Sequence, residues 1–307
     1  MKRKVIQIAN STQLVSLPRK WCKKLNLKKG NELDVQEKGN QLMVSAEGSK
    51  EHKRIHLNVK HLEPMTARFI HAMYKRGVDE IKVNFDKQKE LELIQKALGK
   101  ETVGYEIVEQ GKDFCIIKNV SGDLEDFNPI LRRTFLLLIT MAEEGLVALK
   151  SKNVDNFRSL LPLEESNNRF TTTCRRFINK QNTDTLAGPL YYIVEDLENI
   201  ADQYKYLYHY LTTLDLKKAK ISPAAIESFN TANEMLKLYY STFYKIDKDS
   251  IAELGRTRKQ VVNQWYAALS NHKNFSSVDI AIMSHMVVLV QKIFNLTGPL
   301  IAMKGCD

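Results

Sequence analysis

The chain has 307 residues, of which 43% are hydrophobic and 27% are charged, and its formal net charge is +10. This composition excludes a disordered or collagen-like chain. No run approaches the roughly 18 apolar residues of a membrane helix, and four scattered cysteines show neither disulfide nor zinc-ligand spacing. We therefore expect a reduced, cytoplasmic protein with no membrane insertion.

The positive charge is concentrated near the start of the chain. Residues 1–54 contain 13 Lys and Arg against 5 Asp and Glu, so that +8 of the +10 lies there. Residues 1–31 contain nine basic residues and no acid. Such an asymmetry predicts a polyanionic partner for the N-terminal segment.

Residues 1–48 are predicted to form a small β-rich unit. KVIQIA and LVSL are strand candidates, and Pro18 suits the first position of a short helix. That helix should end at Gly30, in KKGN. ELDV and QLMVSA then form two strands joined through EKGNQ, which is a hairpin signal.

The short helix has two chemically different faces. Helical spacing puts Trp21, Cys22 and Leu25 on one side. The other side collects four cations: Arg19, Lys20, Lys23 and Lys24. A unit of about 48 residues buries too little apolar surface to be stable alone, and with no metal or disulfide to staple it, dimerisation is the expected remedy.

Residues 52–121 are predicted to form a small α/β sandwich. RIHLNV is a strand, PMTARFIHAMYKRG a helix and DEIKVNF a strand. KQKELELIQKALGK is a helix, and YEIVEQ and FCIIKNV are strands. The element order is β-α-β-α-β-β.

From residue 124 to residue 307 the hydrophobic pattern becomes that of long helices. Pro162 and Pro189 should kink or start helices, and Gly298-Pro299 should bend the last one. Antiparallel helices with short connections predict a bundle, so that the whole chain is multidomain and mainly α. The six candidate helices are 124–150, 153–182, 186–214, 222–246, 248–271 and 276–303.

The basic helix face has two possible explanations. Most lysine runs are solvated helix surface. With a +8 segment and an expected two-fold dimer, we favour double-stranded DNA, contacted mainly at its phosphates. Arg3 and Lys4, which lead the first strand, would add to this surface.

Residues 4–44 resemble the SpoVT/AbrB-type swapped-hairpin domain. The resemblance covers the first strand, the helix that starts at LP, the LxLKKGxELxV exit and the final hairpin. It implies a homodimer in which each chain completes the barrel of the other. It also implies DNA contacts by Arg3 or Lys4 and by Lys23 and Lys24, whereas the charge pattern adds Arg19 and Lys20. The ANSTQ loop carries no charge where bacterial relatives often have Arg.

An acidic pair stands out in YYIVEDLENIADQY, residues 191–204. Glu198 and Asp202 are one helical turn apart, at the edge of an apolar stripe. Two carboxylates at this spacing can share a hard cation, although such a pair is more often a solvated helix flank.

The same stretch resembles PhoU-like helical bundles, whose repeated ExxxD motif binds metal clusters. The resemblance implies a divalent, iron or zinc ion at Glu198 and Asp202. In the matching helix of the second half, Gln291 and Asn295 replace these two carboxylates. Amides are weaker ligands, so a symmetric pair of clusters is not expected. The order of head, α/β domain and bundle resembles archaeal phosphate-uptake-regulator-like proteins.

No phosphate-binding loop, nucleophile elbow or zinc signature is present, so we predict no enzyme. Three pairs of arginines are candidates for partner contacts, but solvated helix faces are the default expectation for them: Arg132/Arg133, Arg175/Arg176 and Arg256/Arg258. We therefore expect a homodimeric transcriptional regulator whose bundle senses or relays phosphate or metal status. The alternative is an adaptor whose head only dimerises and whose bundle docks on a transporter or a kinase.

Overall fold

The computed structural model describes residues 2–8, 12–46, 52–122, 126–181 and 186–305. The chain divides into two compact units, Met1–His52 and Lys53–Asp307. The ends of the predicted domains at residues 48 and 124, and Cys306, lie outside the described residues.

The first unit contains two antiparallel hairpins with a short helix between them. Strand β1 (Val5–Ile8) pairs with β2 (Thr12–Val15), and β3 (Leu33–Lys38) pairs with β4 (Gln41–Ala46). The predicted second hairpin is confirmed, and it turns through Gly39 at φ +58°, which suits a two-residue loop. Strand β2 begins two residues earlier than the predicted LVSL and ends two residues earlier, at Val15, so that the chain has left the sheet before Pro18.

Helix α1 (Arg19–Lys24) differs at both ends from the prediction. Pro18 precedes the helix as its N-cap, in an extended conformation. The helix ends well before Gly30, since Asn26 takes the left-handed conformation at φ +52°. The Leu27 N–H then donates to the Cys22 carbonyl at 2.9 Å and the Asn26 N–H to that of Lys23 at 3.2 Å, which is a Schellman motif with asparagine in place of glycine.

The predicted β-α-β-α-β-β order of the middle region is confirmed. Its parallel pair β5 and β6 is joined through α2, as in a βαβ unit, and its other neighbours are antiparallel. In β6, Ile81 and Val83 are buried while the alternate residues are only half-buried, so the helices cover one face. The elements are β5 (Arg54–Asn58), α2 (Thr66–Lys75), β6 (Glu80–Asn84), α3 (Gln88–Glu101), β7 (Tyr105–Gln110) and β8 (Phe114–Asn119), with strand order β5-β6-β8-β7.

The six predicted long helices are all present. The last is split at Leu296, just before Gly298-Pro299, because proline has no N–H to continue the backbone ladder. The helices are α4 (Asn128–Ser151), α5 (Val154–Gln181), α6 (Ala187–Thr212), α7 (Pro223–Tyr244), α8 (Lys248–Ser270), α9 (Ser277–Asn295) and α10 (Thr297–Lys304), with a 3₁₀ turn at His272–Asn274.

By length and composition alone, the segment Ser277–Lys304 is long and apolar enough to cross a membrane. The buried side chains of α9, among them Met286, Leu289 and Ile293, belong to the hydrophobic core of the bundle. Because α9 contacts α6, α7 and α8, its apolar character is explained by its central place in that core.

Within Lys53–Asp307 the α/β region and the bundle keep separate hydrophobic cores. Helices α2 and α3 contact α5, so the two cores are joined side by side in one compact unit. At the joint, Arg176, Asn179 and Lys180 of α5 donate hydrogen bonds to the α/β domain.

Candidate functional site

Helix α1 presents its cations to solvent. Arg19, Lys20, Lys23 and Lys24 are all exposed, whereas Trp21, Cys22 and Leu25 on the other side are half-buried. The last turn holds Lys23 and Lys24, where positive charge also complements the helix dipole. Arg3 and Lys4 are exposed as well and come directly before β1, while residues 9–11 of the uncharged loop lie outside the described residues.

The first unit has no buried side chain among residues 2–8 and 12–46 for which burial is described. Isolated two-stranded hairpins are marginal in water. Full burial of a Val, Leu or Ile side chain is worth about 1.5–3 kcal/mol, so these apolar groups need a partner surface. Seven of them are 45–66% exposed: Val5, Ile6, Ile8, Leu14, Val15, Val35 and Leu42.

Glu198 lies on α6 and meets a buried arginine from α5. The guanidinium of Arg175, which is fully buried, donates to both Glu198 and Glu195. Thr171 Oγ1 donates to Glu198 Oε2 at 2.8 Å. Burial raises the pKa of Glu198, while the Arg175 charge and the Thr171 hydrogen bond oppose that rise.

Asp202, one turn along α6, faces a different cation. Lys205 Nζ donates to Asp202 Oδ1 at 2.5 Å and to Glu164 Oε1 at 2.8 Å. Burial raises the pKa of the Glu164 carboxyl, and Lys205 opposes this. Burial lowers the pKa of Lys205, but the hydrogen bonds to its two carboxylates raise it overall.

The donor set around Glu198 and Asp202 therefore suits a metal cluster poorly. Each carboxylate is paired with a protein cation, and no group of three or more His, Cys, Asp or Glu in the described ranges is placed to hold a metal ion. A divalent, iron or zinc site at Glu198 and Asp202 stays a prediction. Metal content of the purified protein, measured against the Glu198→Gln/Asp202→Asn variant, checks it: equal content in both would refute it.

The second half of the bundle repeats this arrangement with amide side chains in place of the two carboxylates. Arg258 Nε on α8 donates to Gln291 Oε1 at 2.7 Å, and Gln291 Nε2 donates to Asn295 Oδ1 at 3.0 Å. Gln291 corresponds to Glu198 when the two halves are aligned at Ile293 and Ile200. In both halves, then, an arginine from the preceding helix meets this position.

The prediction of solvated arginines is wrong for Arg175 and Arg176, which are buried. Their sequence context carried a usable signal, since RFTTTCRRF places two arginines among threonines and aromatics on a long helix. Helical spacing alone could not show that acids of α6 and of the α/β domain would face them. Glu164, Lys205 and Thr171 were missed for the same reason, because each acts through a contact distant in sequence.

Known proteins are similar to this chain in its N-terminal region and in its fold. Residues 6–52 match the family model of MazE, the bacterial antitoxin of antidote–toxin recognition. Among solved structures, the chain is similar to the phosphate transport system regulatory protein PhoU from Streptococcus pneumoniae, with 15% identity and a TM-score of 0.51. That alignment covers 58% of this chain and 93% of the PhoU chain. No curated protein matches the sequence.

The suspected composition is thus confirmed: a MazE/AbrB-type domain at the N-terminus and a helical bundle with the PhoU fold. The chain is multidomain and mainly α, as the sequence predicts.

Proposed function

We propose that this protein is a cytoplasmic, homodimeric transcriptional regulator that binds double-stranded DNA through its first unit. Arg3, Lys4, Arg19, Lys20, Lys23 and Lys24 neutralise backbone phosphates. Two copies present this surface twice, and their separation sets the spacing of two half-sites.

One observation carries the proposal: a wholly exposed cationic helix face lies in a unit that buries none of its own described side chains. The exposed apolar groups need a second copy or another partner surface, and the clustered cations suit a polyanion. DNA bound by a dimer meets both requirements. The match to the antitoxin family model supports this interpretation.

The bundle is proposed to relay phosphate or metal status to the DNA-binding unit. The support is its similarity in fold to a phosphate transport system regulatory protein. The order of domains resembles that of archaeal phosphate-uptake-regulator-like proteins. Neither similarity indicates catalysis, and we propose a regulator without enzymatic activity.

Duplex-DNA binding by fluorescence anisotropy over a series of salt concentrations tests the proposal. We expect the full-length protein to bind duplex DNA, and the logarithm of its binding constant to fall linearly with the logarithm of the salt concentration. Reversal of two charges in Lys23→Glu/Lys24→Glu should abolish that binding. The matched control, Lys217→Glu/Lys220→Glu, changes exposed lysines between α6 and α7 and should bind as the wild type does. Equal binding by both variants would refute the proposal.

An adaptor is the second candidate, and the description of the matched family as a recognition module for a toxin favours it. In that case the first unit only dimerises or binds protein, and the bundle docks on a transporter or a kinase. The wild-type protein would then show no salt-dependent DNA binding to lose, and the same titration distinguishes the two.

A further inference from the structure

A basic cavity lies between the α/β domain and the helical bundle. It has a volume of about 620 Å³ and is lined by Lys53, Lys75, Arg76, Asn179, Tyr191 and Glu195. Lys53 precedes β5, Lys75 and Arg76 end α2, and the others come from α5 and α6. Sites for small molecules are commonly about 300–1,000 Å³ and occur at such interfaces.

The cations of this basic cavity are not paired with acids. In the described part of the chain, the side chains of Lys53, Lys75 and Arg76 form neither an ion pair nor a hydrogen bond. Lys75 acts only through space: its charge helps to lower the pKa of Glu101 and opposes the rise that burial causes in the pKa of Glu198. Three positive charges thus line one opening, each left with hydrogen-bond donors to offer.

Among the described residues that line the basic cavity, the one acid is Glu195, and it has an ion-pair partner of its own. Glu195 accepts a hydrogen bond from Arg175, whose guanidinium is fully buried. Arg175 also holds Glu198, so its charge is shared by two carboxylates. An anion entering the cavity therefore meets three cations and one acid that has its own partner.

A structural explanation accounts for part of this charge. Cations in the last turn of a helix complement its dipole, which suits Lys75 and Arg76 at the end of α2. The helix dipole does not explain Lys53, which lies just before β5 and lines the same opening. Like charges brought together from two elements repel each other, and a bound anion relieves that repulsion.

Lysine and arginine side chains that converge on a cleft are suited to phosphate groups. The volume of the basic cavity is well beyond that of orthophosphate, and the half-buried ring of Tyr191 adds a surface for a planar or apolar group. We propose that this cavity binds a phosphorylated small molecule of nucleotide size. Every lining residue belongs to Lys53–Asp307, so this site is additional to the DNA-binding surface.

Isothermal titration calorimetry on the full-length protein tests the proposal with ATP, AMP, pyrophosphate, orthophosphate and adenosine as probes. We expect saturable binding of ATP or AMP with one site per chain, weaker binding of orthophosphate and none of adenosine. In Lys53→Gln/Lys75→Gln/Arg76→Gln the affinity should fall by about a hundredfold or more, since each charge-assisted hydrogen bond contributes roughly tenfold.

Two control variants make the outcome specific. Lys217→Gln/Lys248→Gln/Lys259→Gln removes three exposed lysines outside the cavity and should bind the probe as the wild type does. Lys23→Gln/Lys24→Gln should also retain binding, which separates this site from the proposed DNA surface. Overturning results would be no saturable binding of any phosphorylated probe, or an equal loss in the cavity variant and the three-lysine control.

Discussion

Arg176 Nη2 donates to Asp79 Oδ1 at 2.8 Å, and this pair joins helix α5 of the bundle to the α/β domain. Both residues are buried. Arg176 Nη1 also donates to the carbonyls of Tyr74 and Val78, at 3.1 and 2.6 Å, and Lys180 adds a second cation to Asp79 at 2.6 Å. The joint is therefore a satisfied polar network, in which each partner depends on the others.

Arg176→Ala should destabilise the protein by about 3–5 kcal/mol, because it removes one of the two cations that hold the buried carboxylate of Asp79 and one of the donors to the Tyr74 and Val78 carbonyls. The stacking of the guanidinium over the rings of Tyr74 and Tyr105 is lost as well. Urea unfolding followed by circular dichroism measures the change. Arg158→Ala is the matched control on the same helix, since Arg158 is exposed and its ion-pair partner among the described residues is Asp155, at 2.8 Å. It should cost at most about 0.5 kcal/mol, and similar losses for both variants would contradict the argument.

The same network should make the free energy of unfolding depend on pH in the acidic range. Burial alone would raise the pKa of Asp79, but hydrogen bonds from Lys180 and the Lys53 N–H, with the Arg176 charge, lower it overall. A carboxyl with a lowered pKa stabilises the fold above its unfolded-state value of about 3.9 and loses that contribution as the pH falls through the folded value.

We therefore expect the free energy of unfolding of the wild type to fall more steeply below about pH 4 than that of Asp79→Asn. Urea titrations between pH 3 and 6 make the comparison. Asp155→Asn, at an exposed position of α5, serves as the control and should follow the wild type. Parallel curves for the wild type and Asp79→Asn would show that this carboxyl does not carry the effect.

The ion pair between the buried Arg175 and the half-buried Glu198 should behave as a coupled unit. Arg175→Met should cost about 3–5 kcal/mol, because two carboxylates then lack their cation. Adding Glu198→Gln to this variant removes one of the uncompensated charges and should recover part of the loss. A double-mutant cycle from thermal or urea unfolding measures the coupling, and additive effects of the two changes would disprove it.

Packing explains why position 145 on α4 is a glycine. A Cβ atom there would overlap the hydroxyl of Tyr208, which is buried and donates to the Met141 carbonyl at 2.5 Å. Gly145→Ala should therefore lose about 1–3 kcal/mol despite the better helix propensity of alanine. Gly99→Ala, in helix α3 with open space around it, should instead gain about 0.5–1 kcal/mol. Thermal unfolding of both variants gives the comparison, and a gain at both positions would contradict the packing argument.

The sequence could predict the secondary-structure elements, because they depend on the local pattern of residues. Helical periodicity located all six long helices, and the alternation of elements located the α/β domain, because these signals arise from neighbours along the chain. The end of α1 was missed because Asn26 replaces glycine in the left-handed position. The roles of Arg175 and Arg176 were missed for a different reason. Their partners Glu198 and Asp79 are 23 and 97 residues away, and only the tertiary arrangement brings them together.

The salt dependence of DNA binding should show how many phosphate contacts α1 makes. Each phosphate contact contributes about 0.9 to the slope of log K against log salt for duplex DNA. In a dimer, Lys23→Gln/Lys24→Gln removes two charges from each of two copies, so the slope should become shallower by about 3–4.

Fluorescence anisotropy across a series of salt concentrations gives both slopes, and sedimentation equilibrium checks that the variant is still a dimer. Lys217→Gln/Lys220→Gln should leave the slope unchanged, since those exposed lysines lie between α6 and α7. A change near 2 would mean that only one copy contacts the DNA. An unchanged slope in the Lys23→Gln/Lys24→Gln dimer would mean that these side chains do not contact phosphates, and the exposed positive face of α1 would then be solvated surface.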